Sequence, residues 1–156
     1  MGAVQSPALQ FVLARVPGKP SPPPQVDAAG TTTSAITVRF VNANPDTGGS
    51  PVWAYELEMD DGDQVKFTLV LFTRQATSFT ASQGVKRGKY YRFRYRVQNV
   101  IGYSPWSDVS YVQATERPAT PAPPQFVSAT DDSITVSITE SADSGGRYVA
   151  SYEIWI

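Results

Sequence analysis

The residues of this chain best equipped for chemistry are three arginines. Arg92, Arg94 and Arg96 alternate with Tyr91, Phe93, Tyr95 and Val97, and in a β-strand that spacing puts all three guanidiniums on one face. Lys86, Arg87 and Lys89 come just before them. Such a strip would hold an acidic protein surface, a phosphate or an acidic glycan through charge-assisted hydrogen bonds. Trp106 and Trp53 are the next candidates, since an exposed indole on a β surface stacks on a sugar or anchors a protein partner. Trp53 follows Gly48-Gly49-Ser50-Pro51, where it faces either a junction between units or solvent. Carboxylate pairs occur at Asp60, Asp61 and Asp63 and at Asp131 and Asp132. Both groups sit in turns, where aspartate caps its own backbone. Neither has EF-hand spacing, so neither is taken as a catalytic pair or a metal site.

Composition removes whole classes of chemistry. The chain has no histidine and no cysteine, which excludes Ser-His and Cys-His nucleophiles, disulfide frameworks and thiolate or imidazole metal sites. It leaves the redox compartment open. Thirteen basic residues against 14 acidic ones argue against a dedicated nucleic-acid binder, which would carry a basic excess. No stretch approaches the roughly 20 apolar residues of a membrane span. The apolar run from Ala8 to Ala14 contains Gln10 and follows no basic residue, so it does not read as a signal peptide. No phosphate-cradling glycine loop, Arg-Gly-Asp or Asn-x-Ser/Thr acceptor is present. The expectation is a protein that is not an enzyme, with no cofactor, no metal, no nucleic acid and no direct membrane insertion. At 41% hydrophobic and 12% aromatic, it can still bury a core.

The elements that must position these residues have a period of two, not 3.6. Ile36, Val38 and Phe40 alternate with Thr37 and Arg39; Tyr55, Leu57 and Met59 alternate with Glu56 and Glu58. Asp60 to Asp63 is a turn signal before an apolar run, Val65 to Phe72. Val109, Tyr111 and Gln113 continue the alternation after the arginine strand. About seven short strands in about 100 residues, without a helical period, suggest a two-sheet antiparallel sandwich.

The pattern also repeats. Pro22-Pro23-Pro24-Gln25-Val26 recurs as Ala122-Pro123-Pro124-Gln125-Phe126, 100 residues later. Ser34 to Phe40 corresponds to Asp132 to Ile138, Gly48-Gly49 to Gly145-Gly146, and Tyr55-Glu56-Leu57 to Tyr152-Glu153-Ile154. Ser6-Pro7 and Phe11-Val12 resemble Ser104-Pro105 and Tyr111-Val112. Repetition at a fixed period marks tandem modules, and the proline-rich stretches from Pro17 to Pro24 and from Pro118 to Pro124 read as stiff connectors. Residues 1–17 are then the closing strand of a preceding module, 18–117 a complete module, and 118–156 the opening strands of a following one.

These residues resemble the fibronectin type III family, whose modules are all-β, immunoglobulin-like antiparallel β-sandwiches. Ile36 to Phe40 matches its strand B, Gly48 to Leu57 its B–C loop and strand C, and Tyr91 to Asn99 with Gly102 and Ser104 its strand F and F–G loop. Tyr91 takes the place of the tyrosine corner. The strand B position usually held by tryptophan is Phe40, and Ile138 in the next copy. The resemblance implies a core built on Phe40, Tyr55, Tyr91 and Phe93. It also sets strand F beside strand C, so Arg92, Arg94 and Arg96 face Glu56 and Glu58. That favours a cross-strand ladder, with pairs worth about 0.2–1 kcal/mol each, over a partner site. Trp106-Ser107-Asp108-Val109-Ser110 resembles the Trp-Ser-x-Trp-Ser box of cytokine-receptor modules, with Val109 for the second tryptophan. This implies that Trp106 stacks on Arg94 or Arg96.

The expected function is a non-catalytic spacer and protein-binding scaffold within a larger protein. Its setting would be an extracellular filament, a cell surface or a ciliary or cytoskeletal assembly. Accessory modules of a secreted carbohydrate-active enzyme are the alternative, and a receptor ectodomain a third. Partners would be proteins, neighbouring modules or chains of an assembly, with a glycan as a further candidate. Half a sandwich leaves sheet edges unpaired, so the end modules are expected to be completed by further chain or by partners.

Overall fold

The alternating segments form strands in a computed structural model that describes residues 13–41 and 46–155. They are β1 (Gln25–Val26), β2 (Ile36–Arg39), β3 (Ala54–Asp60), β4 (Phe67–Thr73), β5 (Ser78–Ala81), β6 (Tyr90–Gln98), β7 (Ser110–Gln113), β8 (Gln125–Ala129) and β9 (Ile134–Ser137). No helix occurs among the described residues. One sheet has the order β1-β2-β5, the second β4-β3-β6-β7, and β8-β9 is a separate hairpin. Every pairing is antiparallel.

Alternation decides which faces meet. Ile36 and Val38 of β2, Leu57 of β3 and Phe93 and Tyr95 of β6 are fully buried in one cluster between the two large sheets. Phe40, just past β2, lies within 6.2 Å of the Tyr55 ring and 5.8 Å of the Tyr95 ring, centroid to centroid. Tyr55 itself is only half-buried and packs against the cluster from its rim.

β7 departs from the expected alternation by one residue. Tyr91 pairs with Val112 and Arg92 with Tyr111, and residues opposite one another on neighbouring strands share a face. Val112 and Ala114 therefore enter the core, while Tyr111 is 61% exposed. A one-residue slip sends every side chain to the other face. Here the register follows β6, whose inward face is already set by its aromatic rings.

Tyr91 closes the loop between β5 and β6. Its hydroxyl accepts from the Lys86 N–H at 2.8 Å and donates to the Gly84 carbonyl at 3.1 Å. Tyr95, two residues on, buries a hydroxyl without a partner among the described residues, and burial pushes its pKa up to about 12.

The two proline stretches behave differently. Pro17, Pro20 and Pro24 are fully buried against the sandwich, whereas residues 118–124 are exposed. The same contrast separates equivalent strands. Ile36, Val38 and Phe40 are at most 1% exposed, but their counterparts Ile134, Val136 and Ile138 are 74%, 40% and 48% exposed. No second sheet covers β8 and β9 among the described residues. Tyr152-Glu153-Ile154, expected as a strand, likewise has no ladder partner among the described residues and forms none. Most of the closing strand expected within residues 1–17 lies outside the described residues.

The two tyrosines provide a matched test. Tyr91→Phe removes the hydrogen bonds to the Lys86 N–H and the Gly84 carbonyl and should destabilise folding by about 1–3 kcal/mol, from about 0.5–1.5 kcal/mol per bond. Tyr95→Phe removes an unpartnered hydroxyl and should be neutral or stabilising. Urea denaturation followed by tryptophan fluorescence measures both, and equal losses would refute the assigned roles.

Candidate functional site

The arginine strip is occupied along its whole length. β3 lies beside β6 with Glu56 opposite Arg96 and Glu58 opposite Arg94. Arg96 reaches Glu56 at 2.7 Å and Arg94 reaches Glu58 at 2.6 Å. Arg92 pairs with Asp60 at 2.7 Å, and the Asp60 side chain is completely buried. Its second oxygen accepts the Arg92 backbone N–H at 2.9 Å and the Gly62 N–H at 3.2 Å. Asp60 thus joins the strand ladder while still capping the turn through Gly62, and its position in the Asp-Asp-Gly-Asp run concealed the first role.

Aromatic rings complete the strip. Trp106 lies 4.5 Å from the guanidinium carbons of both Arg94 and Arg96. Phe67 on β4 lies 4.2 Å from Arg94 and 4.9 Å from Arg92, and Tyr103 lies 4.0 Å from Arg96. Cations and rings therefore alternate across the sheet. Phe67 and Tyr103 could not be placed from spacing alone, because they come from a neighbouring strand and from a loop. Trp53 stands apart from this stack. Its ring meets Phe72 edge-on at 6.2 Å and lies 4.9 Å from Arg74. The basic loop is divided as well: Lys89 pairs with Asp63 and Arg87 with Asp143. Among the described residues no group of three acidic, histidine or cysteine side chains could hold a metal.

A second constellation lies at the loop after β2. The backbone N–H of Arg15 donates to the Gly48 carbonyl at 2.8 Å, and that of Gly18 to the Asp46 carbonyl at 2.9 Å. The Asp46 carboxylate accepts the Gly48 N–H at 3.0 Å and pairs with the Arg15 guanidinium at 2.7 Å. Asn99, at the end of β6 and 1% exposed, ties the pieces together. Its amide donates to the Arg15 carbonyl at 2.7 Å and the Thr47 carbonyl at 2.9 Å, while its oxygen accepts the N–H groups of Ile101 and Gly102.

The arrangement recurs further along. The N–H of Glu116 donates to the Gly145 carbonyl at 3.0 Å and that of Ala119 to the Asp143 carbonyl at 2.9 Å. Asp143 accepts the Gly145 N–H at 2.7 Å. Gly48 and Gly145 have φ of 67° and 69°, left-handed values that favour glycine. A β-carbon on either would collide with the backbone carbonyl of Arg15 or of Glu116 respectively. The Arg87 guanidinium, with the Gly145 N–H, holds the Asp143 carboxyl below its ordinary 3.8, and Arg15 with the Gly48 N–H does the same for Asp46. The signal was present in the chain as Asp46-Thr47-Gly48-Gly49 and Asp143-Ser144-Gly145-Gly146, where the aspartate repeats along with the glycines.

No family model matches the chain. Solved structures do. The sixth fibronectin type III domain of human fibronectin type III domain containing protein 3 is 20% identical with a TM-score of 0.52, over 78% of this chain and 100% of that one. Fibronectin type III domains of chicken contactin are 13% identical at 0.51, over 81% and 45%. A segment of titin domains is 22% identical at 0.50, over 64% and 33%, so the chain spans a third of that structure. The chain has the fibronectin type III fold.

The three arginines are not equivalent, and single replacements by glutamine should separate them. Arg92→Gln strands the fully buried Asp60 carboxylate and should cost about 3–5 kcal/mol. Arg94→Gln and Arg96→Gln leave partly solvated glutamates and should cost about 1–3 kcal/mol each. Small, equal losses on chemical denaturation would remove Asp60 from the ladder.

Proposed function

We propose that the chain is a non-catalytic spacer and protein-binding scaffold within a multi-module protein. Residues 18–117 form the complete module, residues 1–17 close a preceding one and residues 118–156 open a following one. The observation that carries this reading is the repeated joint: an Asp-x-Gly-Gly turn receives the backbone of the preceding linker at Asp46–Gly49 and again at Asp143–Gly146. A linker held by two backbone hydrogen bonds and a capped, ion-paired aspartate transmits orientation from one sandwich to the next. A free proline stretch would transmit only distance. In this reading Arg92, Arg94, Arg96 and Trp106 keep the β3–β6 sheet in register, and Trp53 covers its β4 edge. Assembly into longer proteins agrees with the titin and contactin structures that share the fold. Partners are proteins or neighbouring modules.

The chain lacks cysteine, so spin labels can be placed at will. With cysteines at Gln75 and Ser128, electron-electron double resonance should report one narrow distance, and Gly145→Ala should broaden it. At φ near 69° the added methyl group is strained by about 1–3 kcal/mol even before it meets the Glu116 carbonyl. A distribution already broad in the native chain, or unchanged by Gly145→Ala, would refute the held joint. Acid gives a second handle. Because the Asp143 pKa is lowered in the joined state, its contribution is complete above the ordinary 3.8 and is lost as pH falls through the lowered value. Broadening should therefore begin below about pH 4, and Asp143→Asn should remove that dependence.

A further inference from the structure

The second joint shapes a groove that none of the preceding roles uses. It measures about 1020 Å³ and runs between the edges of the two large sheets, with Val26 of β1 on one side and Tyr111 to Gln113 of β7 on the other. Arg147 and Tyr148, just past the Asp143–Gly146 turn, form its far wall. Tyr90, Tyr111 and Tyr148 are 46%, 61% and 87% exposed along it.

Two properties define what fits. The first is charge. Of the nine arginines in the chain, six hold acidic partners and Arg74 lies over the Trp53 ring. Arg117 and Arg147 have neither among the described residues, and both line the groove. The one carboxylate that lines it, Glu116, accepts from the Thr33 hydroxyl at 3.5 Å and lies in the field of Arg87. The second is the strand edge. Among the described residues β7 has a neighbour only on its β6 side. Ala114 exchanges hydrogen bonds with Gly88 and Lys89 on that side. Because bonding direction alternates along an antiparallel strand, Val112 bonds the same way, and the N–H and carbonyl of Tyr111 point outward into the groove.

We infer that this groove binds an extended acidic segment of a protein partner. The segment adds a strand to β7 through Tyr111, and its carboxylates meet Arg117 and Arg147. Backbone pairing at a free edge provides affinity, and alternate side chains provide selectivity. A sulfated glycan would satisfy the arginines but not the edge, which is why a peptide is the assignment. The inference rests on the held joint proposed above, since the turn at Asp143–Gly146 carries the far wall.

The test uses the whole chain and a fluorescent peptide of alternating glutamate and threonine, read by anisotropy. Two comparison peptides alternate glutamate with proline, equal in charge but unable to form a strand, and lysine with threonine. The glutamate–threonine peptide should bind at least about tenfold more tightly than either, because strand addition needs both its N–H groups and its charge. Replacing Arg117 and Arg147 together by glutamine should weaken it about tenfold or more, from the loss of two charge-assisted contacts. Tyr111→Pro removes the outward N–H from an edge position that tolerates proline and should weaken binding similarly, whereas Tyr111→Thr should not. Each variant is first checked for an unchanged unfolding midpoint and an unchanged spin-label distance, so a failed joint is recognised separately from a failed groove. No binding, equal binding of the glutamate–proline peptide, or indifference to Arg117 and Arg147 would overturn the proposal. So would a sulfated oligosaccharide that binds through the same arginines where the peptide does not.

Discussion

β6 carries a guanidinium at alternate positions on one face and aromatic rings and Val97 on the other, and a β-strand cannot turn to bury both. Most of the structure follows from how that conflict is resolved. The rings take the core, so the guanidiniums must lie on the outer face of the sheet. There β3 offers Glu56, Glu58 and Asp60 at matching register. Side-chain exposure of 19–29% for the three arginines is too low for lone cations, because burial without a partner costs far more than a pair contributes. The carboxylates and the stacked rings of Phe67, Trp106 and Tyr103 are therefore conditions for the strand to lie where it does.

The two ends of β6 extend that control. At its start, Tyr91 bonds the loop from β5 and fixes where Arg87 stands. At its end, Asn99 reaches across to Arg15 and Thr47. One strand thus organises the core, the outer ladder and contacts at both joints. This also explains how two joints with the same backbone pattern differ in their cation. At the first, Arg15 on the linker pairs with Asp46; the corresponding linker residue at the second is Glu116, which would repel Asp143. Arg87 supplies the charge instead, from the loop held by Tyr91.

The sandwich was legible in the chain because period-two alternation and aromatic content are local properties, and the arginine strip because its members lie on one strand. Long-range features were less so. Asp60 sits in a run that reads as a turn, and only the β3–β6 register shows its carboxylate beneath Arg92. The inward choice of Val112 over Tyr111 was hidden for the same reason: both neighbours are apolar enough, and β6 decides. Tyr55 was expected in the core and lies at its rim, on the core face of β3 but only half-buried against Phe40. The joints were half visible, since the paired glycines were plain but their contacts are with a linker at least 24 residues away in the chain.

Proline content alone does not explain stiffness here. The same kind of sequence is buried at Pro17, Pro20 and Pro24 and exposed at residues 118–124, so its environment depends on whether a completed sandwich lies beside it. A fixed φ restricts each proline residue, yet between prolines the chain retains its other torsions. In the proposed joint the Asp-x-Gly-Gly turn restricts that remaining freedom by accepting the backbone N–H groups of Arg15 and Gly18, and of Glu116 and Ala119. Glycine, the most permissive residue, is what the turn requires: only a residue without a β-carbon lets the linker carbonyl approach closely enough for these bonds to form.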